Sequence, residues 1–313
     1  MLTRVPSAAA WLPLLPRRLR APASRSVMTP AASLHHVFVP AKTRVSGRPP
    51  PLVVLLHGTG ADEHDLLDAG EQLQQAFGGE LAVASLRAPL SLGYGGYAWF
   101  EGYSFAPERR ALEHTVRGAA PKGQQRRTDA GPELFALTDS ASRVIAFLEA
   151  APATLGTDPE RTALFCFSQG ATIGWTVSTS VWPRPGLLKG ACLLRCARCC
   201  EQNGCVCAAH LTLVIVICSG RLFPEHGKAT LLAAANAPAA ELRSRSIWVT
   251  HGEADGTTPV ALARESMQTA ATLFGGDDAA FAQRVLFEPH AGGHEIPRTA
   301  MRNAAAALKR WFV

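Results

Sequence analysis

The stretch ALFCFSQGATIGW, residues 163 to 175, reads as a buried apolar strand that turns sharply at Ser168 and continues as a helix. A serine at such a turn is lifted clear of the sheet, and the positive end of the following helix is aimed at whatever reacts with it. Strand and helix cross closely there, so the positions two before and two after the serine must be small. Gly170 meets that demand, and Cys166 departs from it. A buried cysteine behaves as a small apolar residue, so a tightened turn is expected. A nucleophilic Cys166 would face the wrong way, since two residues upstream places it inside the strand.

Outward from this stretch, apolar runs of strand length alternate with helical segments from about residue 50. Strands are expected at 51–58, 81–89, 162–168, 187–194, 246–252 and 284–290. Helices are expected between them and at the end of the chain, where Met301, Ala305, Leu308 and Phe312 recur at helical spacing. Alternation of this kind predicts an α/β fold, a mostly parallel sheet with helices on both faces. Ligands of such sheets bind beyond the carboxyl ends of the strands. The loops after the strands, HGTGADEHDLL, SQG, HGEADGTTP and HAGGHE, are therefore the places to seek chemistry.

A serine hydroxyl needs a base, a group to orient that base, and donors for the oxyanion that develops. Asp255 follows a strand, and His294 lies in GGHE before the last helix. His290 competes with His294 but falls at its strand's end as a partly exposed neighbour, and Glu253 competes with Asp255 but follows its strand too closely to reach across. The backbone N–H groups of Thr59 and of Gln169, the residue after the serine, are the candidate oxyanion donors. The chain order Ser168, Asp255, His294 is the order found in α/β-hydrolases.

Four motifs, VVLLHGTGADEHDLL, FSQGA, HGEADGTTPV and GGHEIP, together resemble the phospholipase/carboxylesterase family of α/β-hydrolases over roughly residues 50 to 313. That family includes acyl-protein thioesterases, lysophospholipases and small bacterial carboxylesterases. The resemblance implies an α/β-hydrolase fold and a Ser168, Asp255, His294 triad without cofactor or metal. It further implies hydrolysis of a small or lipid-derived acyl ester or thioester through an acyl-enzyme. Cys166 stands where the family carries glycine. The segment YGGYAWFEG, 94 to 102, resembles the family's stretch beside the acyl pocket, which makes Trp99 and Phe100 candidate lining residues; core packing is the alternative.

One piece fits nothing around it. Residues 195 to 218, RCARCCEQNGCVCAAHLTLVIVIC, separate GACLL from SGRLFPE, which would otherwise join into the family's pattern. Three explanations compete: an in-frame retained intron, an insertion peculiar to a lineage, or a zinc site from Cys196, Cys199, Cys205, Cys207 and His210, whose spacing is irregular for structural zinc. The segment also creates a conflict. LTLVIVIC, 211 to 218, is richer in β-branched residues than LLKGACLL, 187 to 194, and only one of them fits a single place in the sheet.

The formal net charge is +6, yet residues 1 to 61 carry eight Arg or Lys and no acid, leaving about −2 on the remainder. No basic nucleic-acid-binding face is implied. Residues 1 to 33, rich in Arg, Ala, Ser and Pro, read as a disordered presequence for a mitochondrion or chloroplast; a start at Met28 would give a cytosolic form. The domain then runs from 34 to 313, and no apolar run is long enough to span a bilayer. Seven of eight cysteines lie between Cys192 and Cys218, a clustering unlike a disulfide framework. Against an active hydrolase stands a catalytically silent relative used as a binding protein. A dienelactone-hydrolase-like enzyme would want cysteine in place of Ser168.

Overall fold

The structure is a computed structural model that describes residues 34–44, 47–93, 95–101, 132–179, 213–218, 220, 245–274 and 284–312. All of these lie in the unit Ala32–Val313. The expected presequence, residues 102–131, the strand expected at 187–194 and the candidate zinc ligands fall outside the described residues.

In chain order the elements are β1 (His36–Val39), β2 (Leu52–Leu56), α1 (Leu67–Ala76), β3 (Ala82–Leu86), β4 (Leu90–Ser91), β5 (Tyr97–Ala98) and α2 (Pro132–Leu155). They continue with β6 (Thr162–Phe167), α3 (Gln169–Thr179), β7 (Leu213–Cys218), β8 (Ser246–Gly252), α4 (Val260–Phe274), β9 (Val285–His290) and α5 (Arg298–Trp311). Seven strands form one sheet in the order β1-β3-β2-β6-β7-β8-β9. β1 runs antiparallel to β3, and every other neighbouring pair is parallel. The short β4 and β5 pair separately.

All five residues of β2 are buried, the near-continuous apolar run that a strand covered on both faces requires. Its alternation divides the core. Leu52, Val54 and Leu56 pack with Leu137, Val144 and Leu148 of α2 and with Ile173, Trp175 and Val177 of α3. Val53 and Leu55 face the other way, onto Leu73 of α1 and Met301, Ala304 and Leu308 of α5. The expected stripe on α5 is buried in full, Met301, Ala305, Leu308 and Phe312 all being core residues.

The contest between the two apolar runs has an outcome. Residues 213–218 occupy the place between β6 and β8, with Cys166 opposite Ile217 on one side and Val216 opposite Trp248 on the other. Six residues of the anomalous segment are thus a central strand, the second of the two placements that the sequence leaves open. The choice follows from composition: a strand with parallel neighbours on both sides favours β-branched residues over the lysine and glycine of LLKGACLL. Gly220, just beyond β7, lies against the start of α3, where an added Cβ would come 2.4 Å from the Ala171 methyl. No described helix is long and apolar enough to cross a membrane.

Candidate active site

The turn between β6 and α3 holds Ser168 at φ 53°, the left-handed region, and it is the one described non-glycine residue there. Backbone of this kind is costly and persists only where the surroundings enforce it. Enforcement comes from both sides. A Cβ on Gly170 would fall 2.3 Å from the Leu56 carbonyl oxygen and 2.6 Å from that of His57, so only glycine lets α3 start this close to β2. Cys166 is fully buried within β6, in register with Leu56, and so lies in the strand below the turn.

Two loops bring the partners. His294 Nε2 is 2.9 Å from Ser168 Oγ, and His294 Nδ1 is 2.8 Å from Asp255 Oδ2. An ionised carboxylate only accepts, so the imidazole proton resides on Nδ1 and donates to Asp255. Nε2 is then bare and accepts from the serine hydroxyl. The Phe167 ring, 5.1 Å away, flanks the imidazole. Burial is graded: the Asp255 side chain is wholly enclosed, while that of His294 is 20% exposed. The loops themselves are laced together, the Glu253 amide donating to the His290 carbonyl at 2.7 Å and the Ala254 amide to that of Gly292 at 3.1 Å. His290 and Glu253, the weaker candidates, thus contribute backbone to the lacing.

Asp255 is surrounded by donors. Its Oδ1 accepts from the amides of Thr257 and Thr258, both at 2.8 Å. Its Oδ2 lies 3.3 Å from His251 Nε2 in addition to His294. Burial alone would raise its pKa, but the Thr258 amide, the His294 hydrogen bond and charge, and the Thr257 amide together hold it below the usual carboxylate range. It therefore stays ionised.

The two candidate oxyanion amides are built differently. Gln169 opens α3, so its N–H is one of the helix's unpaired leading donors. Thr59 lies in the turn after β2, where the amide of Gly60 donates to the Tyr97 carbonyl at 2.9 Å and that of Ala61 to the Gly58 carbonyl at 3.4 Å. The Thr59 amide has no protein acceptor among the described residues.

Trp99 and Phe100, candidates for an acyl pocket, are both core side chains, 0% and 2% exposed, packed in one cluster with Leu56, Cys166 and Ala171. The alternative reading of this segment is the one the geometry favours. The Gln169 side chain grips it, Oε1 accepting from the Trp99 amide at 2.7 Å and Nε2 donating to the Phe100 carbonyl at 2.8 Å. The Trp99 indole N–H in turn donates to the His57 carbonyl at 2.9 Å. Trp99 thereby ties the residue after the serine to the turn after β2. Elsewhere, Asp62, Glu63 and His64 lie near one another, but Glu63 is engaged by Arg87, which holds its carboxyl down at about 2.

No protein-family model and no curated protein matches the chain. Solved structures match it along most of its length. Esterase PE8 is 22% identical, with a TM-score of 0.56 over 89% of this chain and 99% of that one. The Bacillus cereus carboxylesterase is 16% identical, with a TM-score of 0.53 over 90% of this chain and 95% of that one. The Zea mays acyl-protein thioesterase 2 is 17% identical, with a TM-score of 0.56 over 89% of this chain and 99% of that one. The chain has the α/β-hydrolase fold. These neighbours are α/β-hydrolases of the phospholipase/carboxylesterase type.

Within this fold two histidines that motif reading passes over sit beside the candidate site. His57 and His251 are both fully buried. His251 Nε2 is 2.6 Å from the Thr258 carbonyl oxygen, so it carries the proton and donates there while facing Asp255. Burial lowers its pKa, the Thr258 carbonyl and Asp255 opposing, and keeps it neutral. The signal available in sequence was a repeated dipeptide: each is followed by glycine at a strand's carboxyl end, His57-Gly58 and His251-Gly252.

Proposed function

We propose that this α/β-hydrolase cleaves carboxylic esters or thioesters of small or lipid-derived acyl groups through an acyl-enzyme. Ser168 Oγ attacks the acyl carbon as its proton passes to His294 Nε2, and the carbonyl π electrons move onto oxygen, facing the amides of Thr59 and Gln169. Asp255 holds the imidazole tautomer and stabilises the imidazolium. Collapse expels the alkoxide or thiolate, which takes the proton from His294. Water then gives a proton to the same nitrogen and attacks the acyl-serine; the second collapse releases the acid and returns the proton to Ser168. Each amide donor is worth about 2.7 to 4 kcal/mol to such a step.

One observation carries this reading: the unbroken hydrogen-bonded line from Ser168 Oγ through both ring nitrogens of His294 to a buried, ionised Asp255, at 2.9 Å and 2.8 Å. The esterase and thioesterase names of the structural neighbours agree with it. The silent-relative reading rests on the insertion and on Cys166, and the place of Cys166 inside β6 weighs against the second of these grounds. The test is labelling by a fluorophosphonate probe, with hydrolysis of a chain-length series of nitrophenyl esters and acyl thioesters. The wild-type chain is expected to label and turn over, and Ser168→Ala to do neither. Labelling that persists in Ser168→Ala sinks the assignment.

A further inference from the structure

His57 does no chemistry in the proposed reaction, yet it is a fully buried imidazole directly behind the turn that carries Thr59. Both ring nitrogens are in use. Nε2 lies 3.1 Å from the Ala88 amide nitrogen, and Nδ1 lies 2.7 Å from the Gly58 carbonyl oxygen. An amide N–H can only donate, so Nε2 accepts; the ring proton is then on Nδ1 and donates to Gly58. The partners thus determine the tautomer without ambiguity.

The accepting carbonyl matters because of what shares its plane. The C=O of Gly58 and the N–H of Thr59 belong to one peptide unit, planar and trans, so they point in opposite directions. Fixing the oxygen therefore fixes the line of the N–H on the other side. The Ala61 amide also reaches the Gly58 oxygen, at a longer 3.4 Å, and alone would leave the plane free to rock. Glycine at 58 adds to that freedom. The ring is itself anchored at both ends, by Ala88 through Nε2 and by the Trp99 indole through the His57 carbonyl.

We infer that His57 is a positioning residue for the oxyanion site: its Nδ1–H locks the Gly58–Thr59 peptide so that the Thr59 amide faces the serine's reacting carbonyl. This rests on the hydrolase reading above and assigns a specific cause to one of its two donors. The role is to orient a donor in advance of the reaction, which is where such sites gain their effect.

Two substitutions separate this role from simple packing, because each deletes one of the ring's two hydrogen bonds. His57→Asn places an amide nitrogen where Nδ1 stands, keeping the donor to Gly58 and losing the acceptor for Ala88. His57→Gln places an oxygen where Nε2 stands, keeping the Ala88 bond and losing the donor to Gly58. With nitrophenyl butyrate, His57→Gln is expected to lose about 30- to 100-fold in kcat at nearly constant KM. A butyryl trifluoromethyl ketone, whose serine adduct carries the oxyanion, should lose affinity by the same factor. His57→Asn is expected to lose no more than roughly threefold in either measurement, although its melting temperature falls. Equal losses in the two variants, or a fall in kcat without a matching loss of ketone affinity, overturn the assignment while the hydrolase reading stands. An inert wild-type chain overturns both. Should His57→Gln not fold, folded His57→Asn still decides: a collapse of its kcat overturns the inference, and retention supports it.

Discussion

The Oδ2 oxygen of Asp255 lies 2.8 Å from Nδ1 of His294 and 3.3 Å from Nε2 of His251, so one carboxylate oxygen serves two imidazoles. The second imidazole is anchored by the Thr258 carbonyl, and the Thr258 amide in turn holds the other oxygen of Asp255. The acid is thus clasped from two directions before it touches His294.

This clasp predicts a graded effect at His251. His251→Gln keeps a donor near the Nε2 position, whereas His251→Leu leaves the Thr258 carbonyl buried without it and frees Asp255 to turn. A buried group left unsatisfied costs about 1–3 kcal/mol, so His251→Leu is expected to lower kcat/KM for an ester about 5- to 150-fold. His251→Gln should retain most of it. The check sets kcat/KM beside urea unfolding for both variants: release of Asp255 lowers activity in His251→Leu well beyond its loss of stability, and His251→Gln restores it, whereas general loosening lowers the two together.

Trp99 predicts a separation of stability from selectivity. Trp99→Phe removes the donor to the His57 carbonyl and leaves a void, for an expected cost of about 1–3 kcal/mol in urea unfolding. Because the indole is core, the preference among nitrophenyl esters of different acyl length should not change. A changed preference would return Trp99 to the pocket wall.

The two buried histidines predict acid sensitivity. Burial holds the pKa of His57 below its ordinary value against the pull of the Gly58 carbonyl and of Asp65, Asp62 and Glu63. His251 is lowered by burial too, and by the nearby His294 and His290. Unfolded imidazoles titrate near about 6.5. Between that value and the lower folded ones the unfolded chain binds more protons, so stability is full above about pH 6.5 and is lost as pH falls through the window. Each histidine contributes a slope of up to about 1.4 kcal/mol per pH unit. Urea unfolding from pH 8 to pH 5 should show the combined slope, and His57→Asn should lose about half of it. A flat profile would contradict neutral burial of both rings.

Much of this was legible beforehand, for identifiable reasons. β8 matches its sequence expectation residue for residue, because a run buried on both faces bounded by turn residues has few other uses. Ser168, Asp255 and His294 could be named because each ends or follows a strand on the same side of a parallel sheet. Other features were not legible. β1 is four half-buried residues paired antiparallel at an edge, too short for alternation to stand out. The choice between 187–194 and 211–218 depended on neighbours that periodicity does not see. Trp99 and Phe100 were placed by analogy with a segment's position, whereas their surroundings depend on Gln169, seventy residues on in the chain. Which way a histidine ring points after a strand, as with His57 and His251, has no linear signature beyond the glycine that follows.

The identity of β7 has a consequence for chains of different length. Excising residues 195–218 removes this strand, but it also brings LLKGACLL flush against Ser219-Gly220, the same junction that LTLVIVIC now meets. The eight-residue runs are therefore interchangeable in phase: either delivers Gly220 to its seat on Ala171 and leaves Ser168 where it is. A shortened chain is expected to fold, to be more soluble for want of six of the eight cysteines and of an apolar excess, and to keep the same reactivity toward fluorophosphonate; a shortened chain that folds but no longer labels would show that the two strands are not equivalent.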